Sequence, residues 1–443
     1  MRVIVIGGGA VGLCVAEQFV SRGIEVTVLE RDRCGAGASE GNAGWITPSL
    51  SIPVPGPGVI GASLRWLIKP SGPLWIRPTL SATMLAWIAA FVVNCRRPAY
   101  RRGLATLQRA AALAGAAFDR LASRGAEFEL HEDQLLFPVF DSGELEHLCR
   151  TVEELRRAGA RQSLDRLSRG EVVALEPALE SSVLGGILAD DERRVRPESL
   201  TAGLHRMLVS RGAEVLEQSP ATSIRRDGPR WLVESYGWVG RGDAVVIAGG
   251  VDSVRLLSGL GMRLPIVAAK GYSRTYPRDP TGPRRPLYLE GPKVAISVFD
   301  NAVRVSGTLE LGARSLALSS RRLAAITAAA RRALPSWQMT ARPSDWAGMR
   351  PLSPDGLPFV GPVPGADGVH IASAHAMLGI TLAPLTGELL AASLLDHRAD
   401  ELLAAFDPRR ALRPLLRPAP SRGGSATAGR ADGTRQQPQE EPR

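Results

Sequence analysis

Gly7, Gly9 and Gly12 stand in GxGxxG order, and Glu30 follows 18 residues after the last of them. Residues of these types at this spacing bind a dinucleotide. The first glycine permits a tight turn, the second lets the backbone approach a pyrophosphate, and the third lets a helix pack closely on a strand. Unpaired N–H groups at the start of that helix hold the phosphate anion. A carboxylate at Glu30 accepts hydrogen bonds from an adenosine ribose, which disfavours a 2′-phosphorylated cofactor. The expected contacts are Ile6, Gly7, Gly8, Gly9, Ala10, Val11, Gly12, Glu30 and Arg31. Nothing in the pattern separates FAD from NAD.

The elements that must position these residues are legible around them. Val3-Ile4-Val5-Ile6 is apolar throughout, as a strand buried on both faces requires. Val11, Val15 and Phe19 recur at helical spacing, Gly23 stands where a helix would end, and Ile24–Leu29 reads as a second strand.

Composition bounds the rest. A chain of 443 residues is long for one core, so two domains are expected. The formal charge of +10 could mark a nucleic-acid binder, yet all but three of the 54 basic residues are arginine. Lys69, Lys270 and Lys293 are the exceptions. A bias of that kind is chain-wide, no dense basic block is interleaved with aromatics, and no nucleic-acid partner is expected. Cys14, Cys34, Cys95 and Cys149 are far apart and form no CxxC pair, which suits a reduced compartment and argues against a zinc site or a disulfide framework. No metal is expected. The first strand begins at Val3 with no charged leader and apolar segment before it, and a cytoplasmic location is expected.

The longest apolar run, Met84–Val93, falls short of the roughly 20 residues a membrane-spanning helix needs. Arg77 precedes it, and Arg96, Arg97, Arg101 and Arg102 follow. Such a helix either leaves the core as a buried element or lies in a membrane interface against anionic lipid, a peripheral contact on the inner face.

Between Arg31 and Trp45 stand Gly35, Gly37, Gly41 and Gly44 among small residues, which implies close backbone approach to something flat or charged. The GAS-x-GNAG sequence of this loop, behind a VxVLE strand, resembles the FAD-dependent D-amino acid dehydrogenases, within the larger D-amino acid oxidase and glycine oxidase group. Further matches are KGYS at Lys270–Ser273, GT-x-E-L-G at Gly307–Gly312 and WxGxRPxxPDGxPxxGP at Trp346–Pro362. The resemblance touches motifs from Val3 to Pro384.

It implies a two-dinucleotide-binding-domain flavoprotein. This is an α/β fold, a Rossmann-like FAD-binding domain joined to an antiparallel-sheet α+β substrate domain. The expected boundaries are 1–60, 180–262 and 345–417 for the first, 61–179 and 263–344 for the second, with a disordered tail over 418–443. A strand at Gly185–Leu188 is expected in the dinucleotide domain, and hairpins at 127–139 and 223–235. The resemblance also implies non-covalent FAD, held by Ser39, Asn42, Ala43 and Gly44 of the loop and by Gly249 and Gly250 after a buried strand. Trp45 departs from the polar residue expected at its position. Lys270 and Tyr272 become candidates for the flavin or substrate face.

A flavin oxidises an amine by accepting hydride, so the protein need supply neither nucleophile nor metal. Its remaining work is positioning and electrostatics. A planar arginine holds a carboxylate with two parallel hydrogen bonds, and the resemblance points to Arg350 for that role. The turn Gly379-Ile380-Thr381, ahead of the last long helix, is placed to stabilise negative charge on a reduced flavin. His375 either lines the site or hydrogen-bonds within its turn. The implied activity is oxidation of D-amino acids, or of a D-imino acid such as D-hydroxyproline, with electrons passed to a quinone or another carrier. An oxygen-using oxidase of the glycine or sarcosine type and a flavin-binding subunit of a larger dehydrogenase complex are the alternatives.

Overall fold

The computed structural model describes residues 1–61, 72–76, 81–179 and 182–411. Arg77 and the tail expected over 418–443 lie outside them.

The apolar run at the start of the chain is β1 (Arg2–Ile6), inside a six-stranded sheet. The order is β18 (Phe359–Pro362), β19 (Val369–Ser373), β12 (Ala244–Ile247), β1, β2 (Glu25–Leu29) and β8 (Glu214–Leu216). Neighbours run parallel except β18 against β19. Both faces are covered, which is why the strand is apolar without alternation. Val3 and Val5 share a core with Leu13 and Phe19 of the first helix, Ala10–Val20. Ile4 and Ile6 instead meet Ile224, Trp231 and Val233 of a three-stranded antiparallel sheet, β9 (Ala221–Asp227), β10 (Arg230–Ser235) and β11 (Trp238–Gly242). The first helix lies so close to helix Ala383–Leu395 that a Cβ on Gly387 would stand 2.6 Å from the Cys14 carbonyl oxygen.

A second, ten-stranded sheet carries the other candidate residues. Its order is β17 (Ser344–Leu352), β13 (Val267–Pro277), β16 (Ala302–Leu311), β15 (Val294–Val298), β14 (Leu287–Leu289), β5 (Leu130–Val139), β7 (Gly185–Val195) and β3 (Trp45–Ile46). β4 (Leu74–Ile76) adds to β16 and β6 (Leu164–Ser168) to β7. Helix Ser320–Ala333 covers one face, packing Leu323, Ile326 and Ala330 against Tyr272, Val294 and Val305. The opposite face is turned toward the glycine-rich loop, where the Ser297 hydroxyl donates to the Ala43 carbonyl at 2.8 Å.

Two expectations are corrected here. Residues 127–139 do not form a hairpin, because the polar stretch His131–Gln134 stays within one strand, β5. Its charges pair across to β7, with Glu132 3.2 Å from Arg193 and Asp133 bridged to Arg194, so a turn-like composition is satisfied in a ladder. The strand expected at Gly185–Leu188 continues to Val195 and pairs with β5 and β3, in the ten-stranded sheet rather than the parallel one. The hairpin at 223–235 forms as β9 and β10.

The apolar run at Met84–Val93 lies in helix Ala82–Asn94, which is neither fully buried nor free. Met84, Trp87 and Ala90 are buried, whereas Leu85, Val92 and Val93 are exposed. Among the described residues no helix is long and apolar enough to cross a membrane.

Candidate active site

The first helix begins at Gly9 with no side-chain cap, at the C-terminal end of a parallel strand, where open α/β sheets bind their ligands. The three glycines have different reasons to lack a side chain. Gly7 has φ +117°, and a Cβ there would lie 2.5 Å from the Ala248 carbonyl oxygen. A Cβ on Gly12 would stand 1.9 Å from the Gly7 carbonyl oxygen. Both are required by the protein's own packing. At Gly9 a Cβ would meet only the Ser39 hydroxyl, at 3.4 Å, so the protein leaves room above the helix start. That is the space a pyrophosphate needs.

Glu30 closes β2 with its carboxylate aimed back at this turn, accepting from the Gly8 N–H at 2.7 Å and the Asp32 N–H at 2.9 Å. Arg31 beside it pairs outward with Asp32 and Asp252. Ser39 accepts from the Ala10 N–H at 3.1 Å, tying the glycine-rich loop to the helix start. Gly249 lies at the end of β12 against Gly7, a Cβ on which would be 3.0 Å from the Gly249 nitrogen. Gly250, at φ +57°, accepts from the Ser373 hydroxyl at 2.8 Å. Close by, the Ser253 hydroxyl is buried with no partner among the described residues.

In the loop, the Asn42 side chain accepts from the Gly44 N–H at 2.9 Å. Part of the close approach read from its glycines comes from the protein itself. A Cβ on Gly41 would lie 2.1 Å from the Trp346 ring, and one on Gly44 would lie 2.0 Å from the Val195 carbonyl oxygen. Arg304 of β16, which sequence reasoning missed among so many arginines, is buried and donates to the loop carbonyls of Glu40 and Asn42.

A second uncapped helix start stands at the same edge of the parallel sheet. Helix Ala383–Leu395 follows β19, with Pro384 in its first turn, and Gly379, Ile380 and Thr381 lead into it. The Thr381 hydroxyl donates to the Trp45 carbonyl at 2.8 Å, tying this turn to the end of the glycine-rich loop. His375 is turned inward. Its Nε2 lies 3.0 Å from the Thr386 hydroxyl, and burial pulls its pKa down to about 4, so it is neutral at ordinary pH and braces the turn against the helix.

Arg350 and Tyr272 separate onto the two faces of the ten-stranded sheet. Arg350 is paired with Ala269 in the β17–β13 ladder, and its guanidinium lies over Gly271. Tyr272, the next residue along, must point the other way. It is fully buried under helix Ser320–Ala333, donates to Glu310 at 2.7 Å and has Lys270 5.1 Å from its ring centre. Lys270 shares Glu310 at 3.5 Å and donates to the Ser315 and Ala317 carbonyls. Lys270 and Tyr272 therefore form a polar network behind the sheet, not a catalytic pair beside Arg350.

Arg350 itself donates from Nη1 to the Thr308 carbonyl at 3.1 Å. The side chain is half-buried and meets no carboxylate among the described residues, and that burial pulls its pKa down to about 10.

Residues 2–393 match the family described as FAD dependent oxidoreductase (DAO). D-amino acid dehydrogenases of Methylobacterium nodulans and Paramagnetospirillum magneticum are 32% and 33% identical, over 91% and 88% of this chain and 97% and 94% of theirs. Glycine oxidase from Geobacillus kaustophilus has a similar structure, with a TM-score of 0.74 at 23% identity over 92% of this chain and 98% of that one. L-proline dehydrogenase from P. horikoshii follows at 0.69 and 18%, over 94% and 99%. Two uncapped helix starts at one sheet edge, a glycine turn with room above Gly9 and a match running almost the length of the described chain agree: this protein belongs to the DAO family of FAD-dependent oxidoreductases.

Proposed function

We propose that the protein oxidises D-amino acids and passes the electrons to a quinone or another carrier. Arg350 carries this reading: a half-buried guanidinium with no acidic partner among the described residues, on the sheet face that meets the glycine-rich loop. The relatives named D-amino acid dehydrogenase support the D configuration.

FAD, the cofactor of the family, fits the space left over Gly9 and the uncapped starts of both helices. Ile6–Gly12 with Glu30 and Arg31 would hold its adenosine half, and Gly249 and Gly250 its phosphates. Ser39, Asn42, Ala43 and Gly44, with the turn Gly379–Thr381, would hold the ring. When bound, FAD supplies a hydride acceptor. Arg350 binds the substrate carboxylate and so anchors that end of the substrate at the site. The amine must be neutral to release hydride, and its proton leaves to solvent. Loss of the hydride and a proton gives an imino acid, which water converts to a 2-oxo acid and ammonium.

A panel of D-amino acids, glycine, sarcosine and D-hydroxyproline, assayed with an artificial dye and in parallel for hydrogen peroxide, tests this. Dye reduction by D-amino acids with little peroxide is expected. Stoichiometric peroxide would instead establish the oxidase alternative.

A peripheral membrane contact is part of the proposal. Leu85, Val92 and Val93 on helix Ala82–Asn94 are exposed beside the exposed Arg96 and Arg97, the pairing of apolar face and cationic rim that anionic bilayers attract. Flotation with anionic liposomes at low salt, weakened by Arg96→Ala and Arg97→Ala, is the expected result; no flotation would remove the contact.

A further inference from the structure

We propose that Gly271 is a positioning residue for Arg350: the missing side chain is what lets the guanidinium lie flat on the sheet, with one edge fixed and the rest presented to a substrate carboxylate. The inference rests on Arg350 being the carboxylate clamp.

Gly271 of β13 is paired with Gly348 of β17, two residues before Arg350. Each of these paired glycines is covered by a planar group from β17. The Trp346 ring lies over Gly348, where a Cβ would meet it at 2.1 Å. The Arg350 guanidinium lies over Gly271, where a Cβ would stand 2.3 Å from Cζ, 2.3 Å from Nη2 and 2.4 Å from Nη1. Gly271 is outside the left-handed region, so an L-residue could adopt its backbone. Glycine is needed there for space alone.

The edge of the guanidinium is held by a different device. The β13–β16 ladder slips register between Lys270 and Tyr272, and Thr308 occupies the slip at φ +60°. An extra residue in a strand turns its carbonyl out of the ladder, and the Thr308 carbonyl accepts from Arg350 Nη1. Nε and Nη2 have no protein partner among the described residues. A planar fork with one nitrogen tethered and the others open can take a carboxylate through two hydrogen bonds.

A methyl group at position 271 would not displace the strand, which pairs with β17 at Gly271 itself and with β16 at Lys270 and Tyr272 on either side of it. The flexible end of Arg350 would move instead, by about 1 Å if ordinary contact is near 3.5 Å. Misplacement on that scale can cost about 10²-fold where orientation matters. The fold should survive while the clamp shifts.

The test is a double-mutant cycle on the FAD-loaded protein, titrated with pyruvate as a 2-oxo acid product and followed by the flavin absorbance spectrum. Gly271→Ala should keep its FAD and its Tm, bind pyruvate ten- to a hundredfold more weakly, and raise KM for D-alanine more than it lowers kcat. In an Arg350→Ala background the same change should have no further effect, because the group it strikes is gone. Unchanged pyruvate affinity in Gly271→Ala, with Arg350→Ala clearly weakened, overturns the role of Gly271 alone. Unchanged affinity in Arg350→Ala overturns the clamp itself. Should Gly271→Ala lose its FAD, the double variant must regain it, and persistent loss there also overturns the proposal.

Discussion

Arg304 reaches from the ten-stranded sheet into the glycine-rich loop and donates to the Asn42 carbonyl at 2.7 Å. The same guanidinium donates to the Glu40 carbonyl at 3.1 Å and to the Thr275 hydroxyl at 2.9 Å, and it pairs with Glu198. At 3% exposure it is sealed in, so the loop proposed to wrap the flavin is held from the substrate side.

Arg304→Ala should therefore weaken FAD binding. Hydrogen bonds to a charged group are worth about 1.5–3 kcal/mol, so losing one net contact predicts a loss of about one to two decades in affinity. Lysine keeps the charge without the fork, and Arg304→Lys should recover only part of it. Reconstitution of apoprotein with FAD, followed by quenching of flavin fluorescence, measures the difference.

Arg350→Ala should lower kcat/KM for D-amino acids by about one to two decades, on the same range for a charged hydrogen bond. Steady-state kinetics with D-alanine checks it. Turnover equal to that of the unmodified protein would remove Arg350 from the site.

Which of these groups could be read from the chain follows from how local their determinants are. The dinucleotide turn was legible because its strand, helix, second strand and terminal acid are consecutive, from Val3 to Glu30. The strand expected at Gly185–Leu188 falls outside the dinucleotide domain's parallel sheet because its neighbour is chosen by distant β5, not by its own residues. Motif matching brought Tyr272 and Arg350 together, but a period of two sends Tyr272 to the reverse face once Gly271 is known to face Arg350. Arg304 left no local signal at all. A single arginine in a strand, in a chain crowded with arginine, shows its role only when Asn42 is folded against it.

Activity should rise from neutral to mildly alkaline pH. The ammonium form of an amino acid cannot readily give up hydride, so the reactive neutral amine grows with pH, while Arg350, with its pKa near 10, remains charged over that range. Rates at saturating D-alanine across this window check the sign; a flat or falling profile would count against it.

His375 should make the fold sensitive to acid. Burial lowers its pKa to about 4, below its ordinary value of about 6.5. As pH falls from about 6.5 to about 4, the unfolded chain takes up a proton that the native state refuses, and stability drops across that window and no further below it. His375→Gln should be less stable at pH 7, by about 1–3 kcal/mol for the disturbed buried contact to Thr386, but its Tm should fall less steeply between those pH values. Thermal melts of the two proteins at a series of pH values give the comparison.

The central claim is that Arg350 orients a D-amino acid for hydride loss to FAD, and anaerobic mixing tests it most directly. The purified yellow protein, mixed without oxygen with D-alanine and separately with L-alanine, should lose its flavin colour with the D enantiomer only, and far more slowly in Arg350→Ala. Colour that persists with every D-amino acid tried, or bleaches equally with both enantiomers, would contradict the account.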